Sequence, residues 1–131
     1  MKKILLFLIL IAILGINCSR DNDEEEINSA IIGEWNWIKS TGGFAGGTYT
    51  PESTGENRML IISSDSIKYF TNGDLLSKIK YTIELRDIYG ESHEMIVPEF
   101  LGITQFFELN ENKLTLIDYC NDCFVNEYMK E

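Results

Sequence analysis

The chain has 131 residues, which is enough for one domain with a single hydrophobic core and too few for two. Its 21 acidic and 11 basic side chains give a net charge of −10, and so acidic a surface repels nucleic acid and anionic membrane faces. The hydrophobic content of 44% excludes global disorder, which requires low hydrophobicity together with high charge.

The N-terminal segment has the layout of a secretory signal peptide. Two lysines follow Met1, and an unbroken apolar run then extends from Ile4 to Ile16. As a helix, this run would be roughly 20 Å long, which is short of the roughly 30 Å hydrocarbon core of a bilayer. We therefore expect residues 1–17 to be a cleaved signal peptide, rather than a retained anchor helix or a buried core helix.

The segment Leu14-Gly15-Ile16-Asn17-Cys18 resembles the lipobox of bacterial lipoproteins, with Asn17 where Gly, Ala or Ser is usual. The resemblance implies that Cys18 becomes a lipidated N-terminus that carries several acyl chains, such as palmitate, and anchors the domain to a membrane. Residues 18–30 are mostly polar and acidic, so we expect them to be a solvated tether. The acidic run also resembles that of surface-exposed lipoproteins in Bacteroidetes-like bacteria. We expect the outer membrane, with a periplasmic or a surface-exposed domain as alternatives.

Residues 31–131 are predicted to form one all-β domain. Segments rich in β-branched and aromatic residues alternate there with Gly, Asn, Asp and Pro. A helical pattern is confined to Asp23–Ile32, where acidic residues suit a helix N-terminus. Eight strands are predicted, at Glu34–Ser40, Arg58–Ser63, Ser66–Thr71, Leu76–Arg86, His93–Val97, Ile103–Leu109, Lys113–Tyr119 and Phe124–Lys130.

The connections between these strands predict an antiparallel meander. Asn72-Gly73 suits the positive φ angles of a tight hairpin turn, and it precedes the strand with the clearest alternation. Eight such strands can close into a barrel or split into two packed sheets, and we prefer the barrel because closure removes exposed edges. The apolar set of the alternating strand would face inward, and consists of Ile79, Tyr81, Ile83 and Leu85.

The first strand, Gly33-Glu34-Trp35-Asn36-Trp37, resembles the Gly-x-Trp start of lipocalin-like barrels, in which the Trp closes one end. The Gly-rich Ser40–Gly47 followed by Pro51, and the closing segments Leu114–Leu116 and Tyr128–Lys130, resemble small lipocalin-like lipoproteins of Bacteroidetes-like bacteria. The resemblance spans about residues 31–131 and implies an eight-stranded meander barrel. We expect Trp35 to be buried at the closed end with Trp37 on the same face, and a long mobile loop over Gly42–Pro51.

Cys120 and Cys123 form a C-x-x-C pair that three chemistries would fit. A hairpin would place their α carbons roughly 5.5 Å apart, which suits a disulfide in an exported protein. Zinc needs about four ligands, and besides Cys18 the chain adds only His93. Redox pairs of the thioredoxin type sit at a helix N-terminus, whereas Cys120 and Cys123 flank a predicted hairpin turn. We favour a structural disulfide, with free thiols next and redox or metal chemistry last.

Aromatic side chains are the candidates for a ligand pocket inside the barrel, because they can line or fill an eight-stranded interior. We favour filling over a ligand site. The pocket candidates are Trp37, Tyr69, Tyr81 and Phe107.

Catalytic residues and cofactors are not predicted. His93 is the single histidine, and the acids near it read as a solvent-facing set comprising Glu84, Asp87, Glu91, Glu94 and Glu99. The sequence therefore predicts a lipid-anchored, non-enzymatic envelope protein that binds a small apolar ligand or presents a surface to an envelope protein. A hydrolase that uses surface carboxylates is the remaining alternative.

Overall fold

The computed structural model describes residues 29–131. Residues 29–31 are helical and lead into the first strand. Ile32 is described and is not helical, whereas residues 23–28 of the predicted helix Asp23–Ile32 lie outside the described residues, as do the signal segment, Cys18 and most of the acidic tether. Across the described residues, every helix is too short or too polar to cross a membrane.

The short segments rich in β-branched and aromatic residues form a single sheet, and all neighbouring strands in it are antiparallel. Within residues 29–131 the regular elements after the helical turn are β1 (Gly33–Gly42), β2 (Gly47–Tyr49), α1 (Pro51–Thr54), β3 (Arg58–Ile62), β4 (Ser66–Thr71), β5 (Asp74–Ile88), β6 (Glu91–Pro98), β7 (Gln105–Asn110), β8 (Lys113–Asp118) and β9 (Phe124–Lys130). The sheet order is β2-β1-β3-β4-β5-β6-β7-β8-β9, and β1 also pairs with β9.

The pairing of β1 with β9 closes the sheet, from Trp35 opposite Lys130 to Gly42 opposite Phe124. Eight strands, β1 and β3 to β9, therefore form a closed antiparallel barrel, which confirms the predicted fold class. The three-residue β2 lies outside the closed ring and pairs only with the end of β1.

The segment that was predicted to be a long mobile loop, Gly42–Pro51, is more regular than expected. It contains β2, and α1 begins at Pro51. Thr50 caps this helix: its hydroxyl accepts a hydrogen bond from the Ser53 amide at 3.2 Å, and the Ser53 hydroxyl accepts one from the Thr50 amide at 2.8 Å. These elements are too short to produce a periodic sequence pattern.

Tight turns with positive φ angles join the central strands. Asn72 and Gly73 have φ angles of 53° and 87°, so the predicted hairpin between β4 and β5 is confirmed. Tyr89 and Gly90, with 53° and 88°, make the equivalent turn between β5 and β6. Within residues 29–131, the part of β5 that follows Tyr81 has β6 as its only partner strand, so one edge of this hairpin is unpaired among the described strands. Leu85 in it is 58% exposed, and its predicted inward position is wrong.

The core lies inside the barrel and begins at the first strand. Trp35 and Trp37 are both buried, which confirms that they face inward. The Trp35 indole nitrogen donates a hydrogen bond to the carbonyl oxygen of Ile31 at 2.8 Å, so the helical turn 29–31 closes this end. The other buried side chains of this core are Ile31, Leu60, Ile62, Ile67, Tyr81, Ile96, Leu114, Leu116 and Tyr128.

Candidate functional site

The barrel encloses a cavity of about 670 Å³. This volume falls within the range of small-molecule sites, about 300–1,000 Å³. The interior is therefore not completely filled by side chains, contrary to the expectation from its aromatic content. Its apolar wall comes from branched and cyclic side chains on β3, β4, β5 and β6, including Leu60, Ile67, Ile79, Ile96 and Pro98.

The entrance lies where strand pairing is incomplete. β5 is paired with β6 only from Tyr81 onward, and β6 pairs with β7 through just two residue pairs. Beside the first half of β5 the wall is the non-strand segment 99–104, held by a 3.0 Å hydrogen bond from the Glu99 amide to the Lys80 carbonyl. Leu76 and Ile103 line the cavity yet are 67% and 49% exposed. The cavity is therefore open to solvent beside these two side chains.

Polar side chains from β1, β7, β8 and β9 converge on one part of the cavity wall. The Gln105 amide donates a hydrogen bond to the Asp118 carboxylate at 2.6 Å. The Ser40 hydroxyl donates one to the Asn126 amide oxygen at 2.6 Å and accepts one from the Trp37 indole at 2.9 Å. Gln105, Asp118 and Asn126 all line the cavity. A mainly apolar cavity with a few ordered polar groups can both hold and orient a small molecule.

Arg58 carries the one positive charge among the described residues that line this cavity. Its guanidinium is paired with the Glu56 carboxylate: Oε2 of Glu56 lies 2.6 Å from Nη2 and 2.8 Å from Nε of Arg58. The same group lies 4.4 Å from the centre of the Trp37 ring. Arg58 is thus held by an ion pair on one side and by an aromatic face on the other.

Tyrosine side chains add further polar groups to the cavity. Burial, and the nearby Asp118 carboxylate, raise the pKa of Tyr69 to about 12. Burial is also the main cause that raises the pKa of Tyr128, with the phenol of Tyr69 as the next. Tyr81 donates a hydrogen bond to the Ser63 carbonyl at 2.8 Å, and burial raises its pKa as well. All three phenols therefore stay protonated at neutral pH.

Two of the four predicted pocket residues line the cavity, and two do not. Tyr69 and Tyr81 are in its wall. Trp37 is covered by Arg58, and Phe107 packs against the buried core, so these two lie outside the wall of this cavity. Sequence reasoning also missed the polar wall of Arg58, Gln105, Asp118, Asn126 and Tyr128. The sequence did hold one indication of Gln105. Alternate residues of a strand point to the same face, and Gln105 lies two residues before Phe107, which points inward.

The C-x-x-C pair lies between β8 and β9. Cys120 and Cys123 are at disulfide-bonding distance, with their α carbons 5.6 Å apart. The adjacent backbone is tightly packed: a β carbon at Gly42 would collide with the Cys123 carbonyl oxygen, and the Gly43 amide donates to that oxygen at 3.2 Å. The hairpin thus packs against the end of β1.

The other candidate residues lie on the outer surface. His93 is 3.8 Å from the Glu91 carboxylate, and its ring contacts Phe106 edge-on with centroids 5.1 Å apart. Glu84 is paired with Arg86 at 2.8 Å, and Asp87 accepts a hydrogen bond from Ser92. In the part of the chain that the structure describes, His, Cys, Asp and Glu do not form a group of three or more that would hold a metal ion.

Comparisons with protein-family models, with curated proteins and with solved structures each gave no match.

Proposed function

We propose that this chain is the precursor of an exported lipoprotein of the cell envelope, and that its barrel binds a small, mainly apolar molecule. The observation that carries the proposal is the cavity of about 670 Å³, which has an apolar wall, a localised polar region and an entrance beside segment 99–104. A non-enzymatic role is part of the proposal, since the polar groups of the wall are suited to orienting a molecule.

Anchoring is the second part of the proposal, and the N-terminal sequence supports it. The apolar run Ile4–Ile16, the lipobox-like segment that ends at Cys18 and the acidic stretch after it have the order expected of a lipoprotein precursor. We place the protein at the outer membrane, with the barrel joined to lipid through Cys18 and the tether. The lipocalin-like resemblance of the first strand fits the same assignment.

The binding role is testable by NMR on isoleucine methyl groups of the full chain, reconstituted in lipid nanodiscs. The probe is 2-ethylnaphthalene, an apolar molecule of suitable size. We expect its addition to shift the signals of Ile67, Ile79 and Ile96, which line the cavity, and to leave that of Ile88 unchanged. Ile88 lies at the far end of β5 and serves as an internal control.

A matched pair of variants on β5 locates the binding. Ile79→Trp places a large side chain in the cavity and should abolish the shifts of Ile67 and Ile96. Lys78→Trp adds the same side chain at the neighbouring exposed position, and binding should persist. Equal effects of the two variants, or no saturable shift in the parent protein, would refute a ligand-binding cavity.

Exposed apolar loop residues favour a second candidate, an interaction module for another envelope protein. Phe44, Phe100 and Leu101 are almost fully exposed and lie in loops. Phe100→Ser with Leu101→Ser would then abolish partner capture and leave probe binding intact. If Ile79→Trp loses both probe binding and the protein's function while the double serine variant keeps both, the function belongs to the cavity.

A further inference from the structure

The hydroxyl groups of Tyr69 and Tyr128 have no hydrogen-bond partner among the residues that the structure describes. Tyr128 is only 7% exposed, so its phenol is almost wholly enclosed by protein. Fully buried side-chain nitrogen and oxygen atoms in the described chain all have partners. The two hydroxyls are therefore in contact with the space of the cavity that both residues line.

These two groups act as donors toward that space. Burial raises the pKa of Tyr69 to about 12 and also raises the pKa of Tyr128, so each keeps its proton at physiological pH. The neighbouring acceptor, Asp118, already accepts hydrogen bonds from Gln105 at 2.6 Å and from the Phe124 amide at 3.4 Å. A donor in an apolar cavity is best satisfied by an acceptor that the bound molecule brings.

The charges of the cavity wall disfavour an anion as that acceptor. Arg58 is bound to Glu56 at 2.6 Å, so its positive charge is already compensated. Asp118 then remains as an acidic group near both tyrosines, and it raises the pKa of each by its charge. A carboxylate brought into this mainly apolar space would be repelled by Asp118 and would lose part of its hydration.

We infer that the bound molecule is electrically neutral and carries a hydrogen-bond-accepting oxygen, such as that of a ketone, ester, amide or alcohol, which Tyr69 and Tyr128 bind. The apolar remainder lies against Leu60, Ile67 and Ile96. The inference rests on the proposed ligand-binding function and names the chemical class of the ligand. Free fatty acids and other carboxylates are excluded from this class.

Three probes of similar shape distinguish the chemical class of the ligand from the binding function itself. 2-Acetylnaphthalene has the neutral acceptor, 2-ethylnaphthalene lacks it, and 2-naphthoate carries a carboxylate. Each is titrated into the full chain in lipid nanodiscs and followed by the methyl signals of Ile67 and Ile96. We expect the ketone to bind about five- to tenfold more tightly than the ethyl compound, and the carboxylate at least about tenfold more weakly than the ketone.

Tyrosine variants assign the effect to the two hydroxyls. Tyr69→Phe and Tyr128→Phe should each weaken ketone binding about five- to tenfold and leave binding of the ethyl compound unchanged, because only the hydroxyl is removed. Tyr119→Phe is the matched control, since Tyr119 is half-exposed and contacts Phe106 edge-on. It should change neither affinity.

Asp118→Asn tests the role of charge. It should strengthen binding of 2-naphthoate relative to the ketone at least about tenfold. Ketone and ethyl compound binding equally, with no effect of either tyrosine variant, would overturn the inference and leave the ligand-binding function standing. Preferential binding of 2-naphthoate by the parent protein would overturn it as well. Failure of all three probes to shift the cavity methyl signals would refute the binding function itself.

Discussion

The guanidinium group of Arg58 lies 4.4 Å from the centre of the Trp37 ring, and this contact separates the indole from the cavity. Trp37 is on the inward face of β1, as its position two residues from Trp35 predicts. Its accessible side is nevertheless covered, because Arg58 comes from the neighbouring β3 and is fixed by Glu56. A cation–π contact of this kind contributes about 0.5–2 kcal/mol.

The first prediction concerns this covering side chain. Arg58→Ala should open the Trp37 ring to the cavity, so that tryptophan emission shifts to longer wavelength and acrylamide quenching increases. Arg86→Ala removes an arginine of the outer surface, paired with Glu84, and should change neither quantity. Unchanged quenching in Arg58→Ala would show that Arg58 does not shield Trp37.

The second prediction concerns the two buried indoles. Trp35→Ala and Trp37→Ala should each lower the free energy of unfolding by about 3–5 kcal/mol, because each removes a large side chain from a packed core. Both also lose a buried hydrogen bond, to Ile31 and Ser40 respectively. Urea unfolding measures the effect. Phe44→Ala, at a position 96% exposed, should change stability by less than about 0.5 kcal/mol. A loss that small for Trp35→Ala would place Trp35 outside the core.

The third prediction concerns alkaline pH. The pKa of Tyr69 rises from 10.0 to about 12 on folding, so the unfolded chain loses this proton first. The contribution to stability is therefore fully present below about pH 10 and is lost as pH rises toward 12. The part of the loss that comes from Tyr69 should reach at most about 3 kcal/mol, and Tyr69→Phe should remove that part. Urea unfolding at about pH 9 and 11.5 tests this. Tyr119→Phe is the control. If the free energy of unfolding of Tyr69→Phe falls between these two pH values as much as that of the parent protein, the prediction is contradicted.

The fourth prediction concerns Cys120 and Cys123. Mass analysis of the exported protein without reductant should find this pair two hydrogens lighter than after reduction. Because the closed loop is short, reduction should cost no more than about 2 kcal/mol, and the barrel should stay folded. Replacement of both cysteines by serine should give the same small loss. Alkylation of both thiols in native, unreduced protein would contradict the prediction.

The fifth prediction concerns the membrane anchor. Metabolic labelling with a tagged fatty acid should mark the protein, and Cys18→Ala should abolish the label. The described barrel is closed by residues 33–130, so the domain should remain folded in that variant. Ser19→Ala changes the adjacent residue and should leave the label in place. A label that persists in Cys18→Ala would end the lipoprotein proposal.

The amino-acid sequence by itself determined the order of the eight barrel strands and which face of β1 and of the middle of β5 is buried. Alternation along β5 identified Tyr81 as inward, and Asn72-Gly73 identified the hairpin before it, because both signals depend only on neighbouring residues. The Gly-x-Trp pattern of β1 placed Trp35 and Trp37 in the core. The spacing of Cys120 and Cys123 across a turn predicted their close approach for the same local reason.

Only the tertiary structure decided how the interior is used. The alternation of apolar and polar residues indicates which side chains point inward, but it does not indicate whether side chains from opposite walls of the barrel meet. The cavity beside Tyr69 and Tyr81 was therefore not predictable from the sequence pattern. The cover of Trp37 by Arg58 joins two strands through a contact that the sequence does not encode locally. Leu85 has an inward pattern and is exposed, because none of the strands in residues 29–131 covers this end of the β5–β6 hairpin. Such features depend on where residues distant in sequence come together.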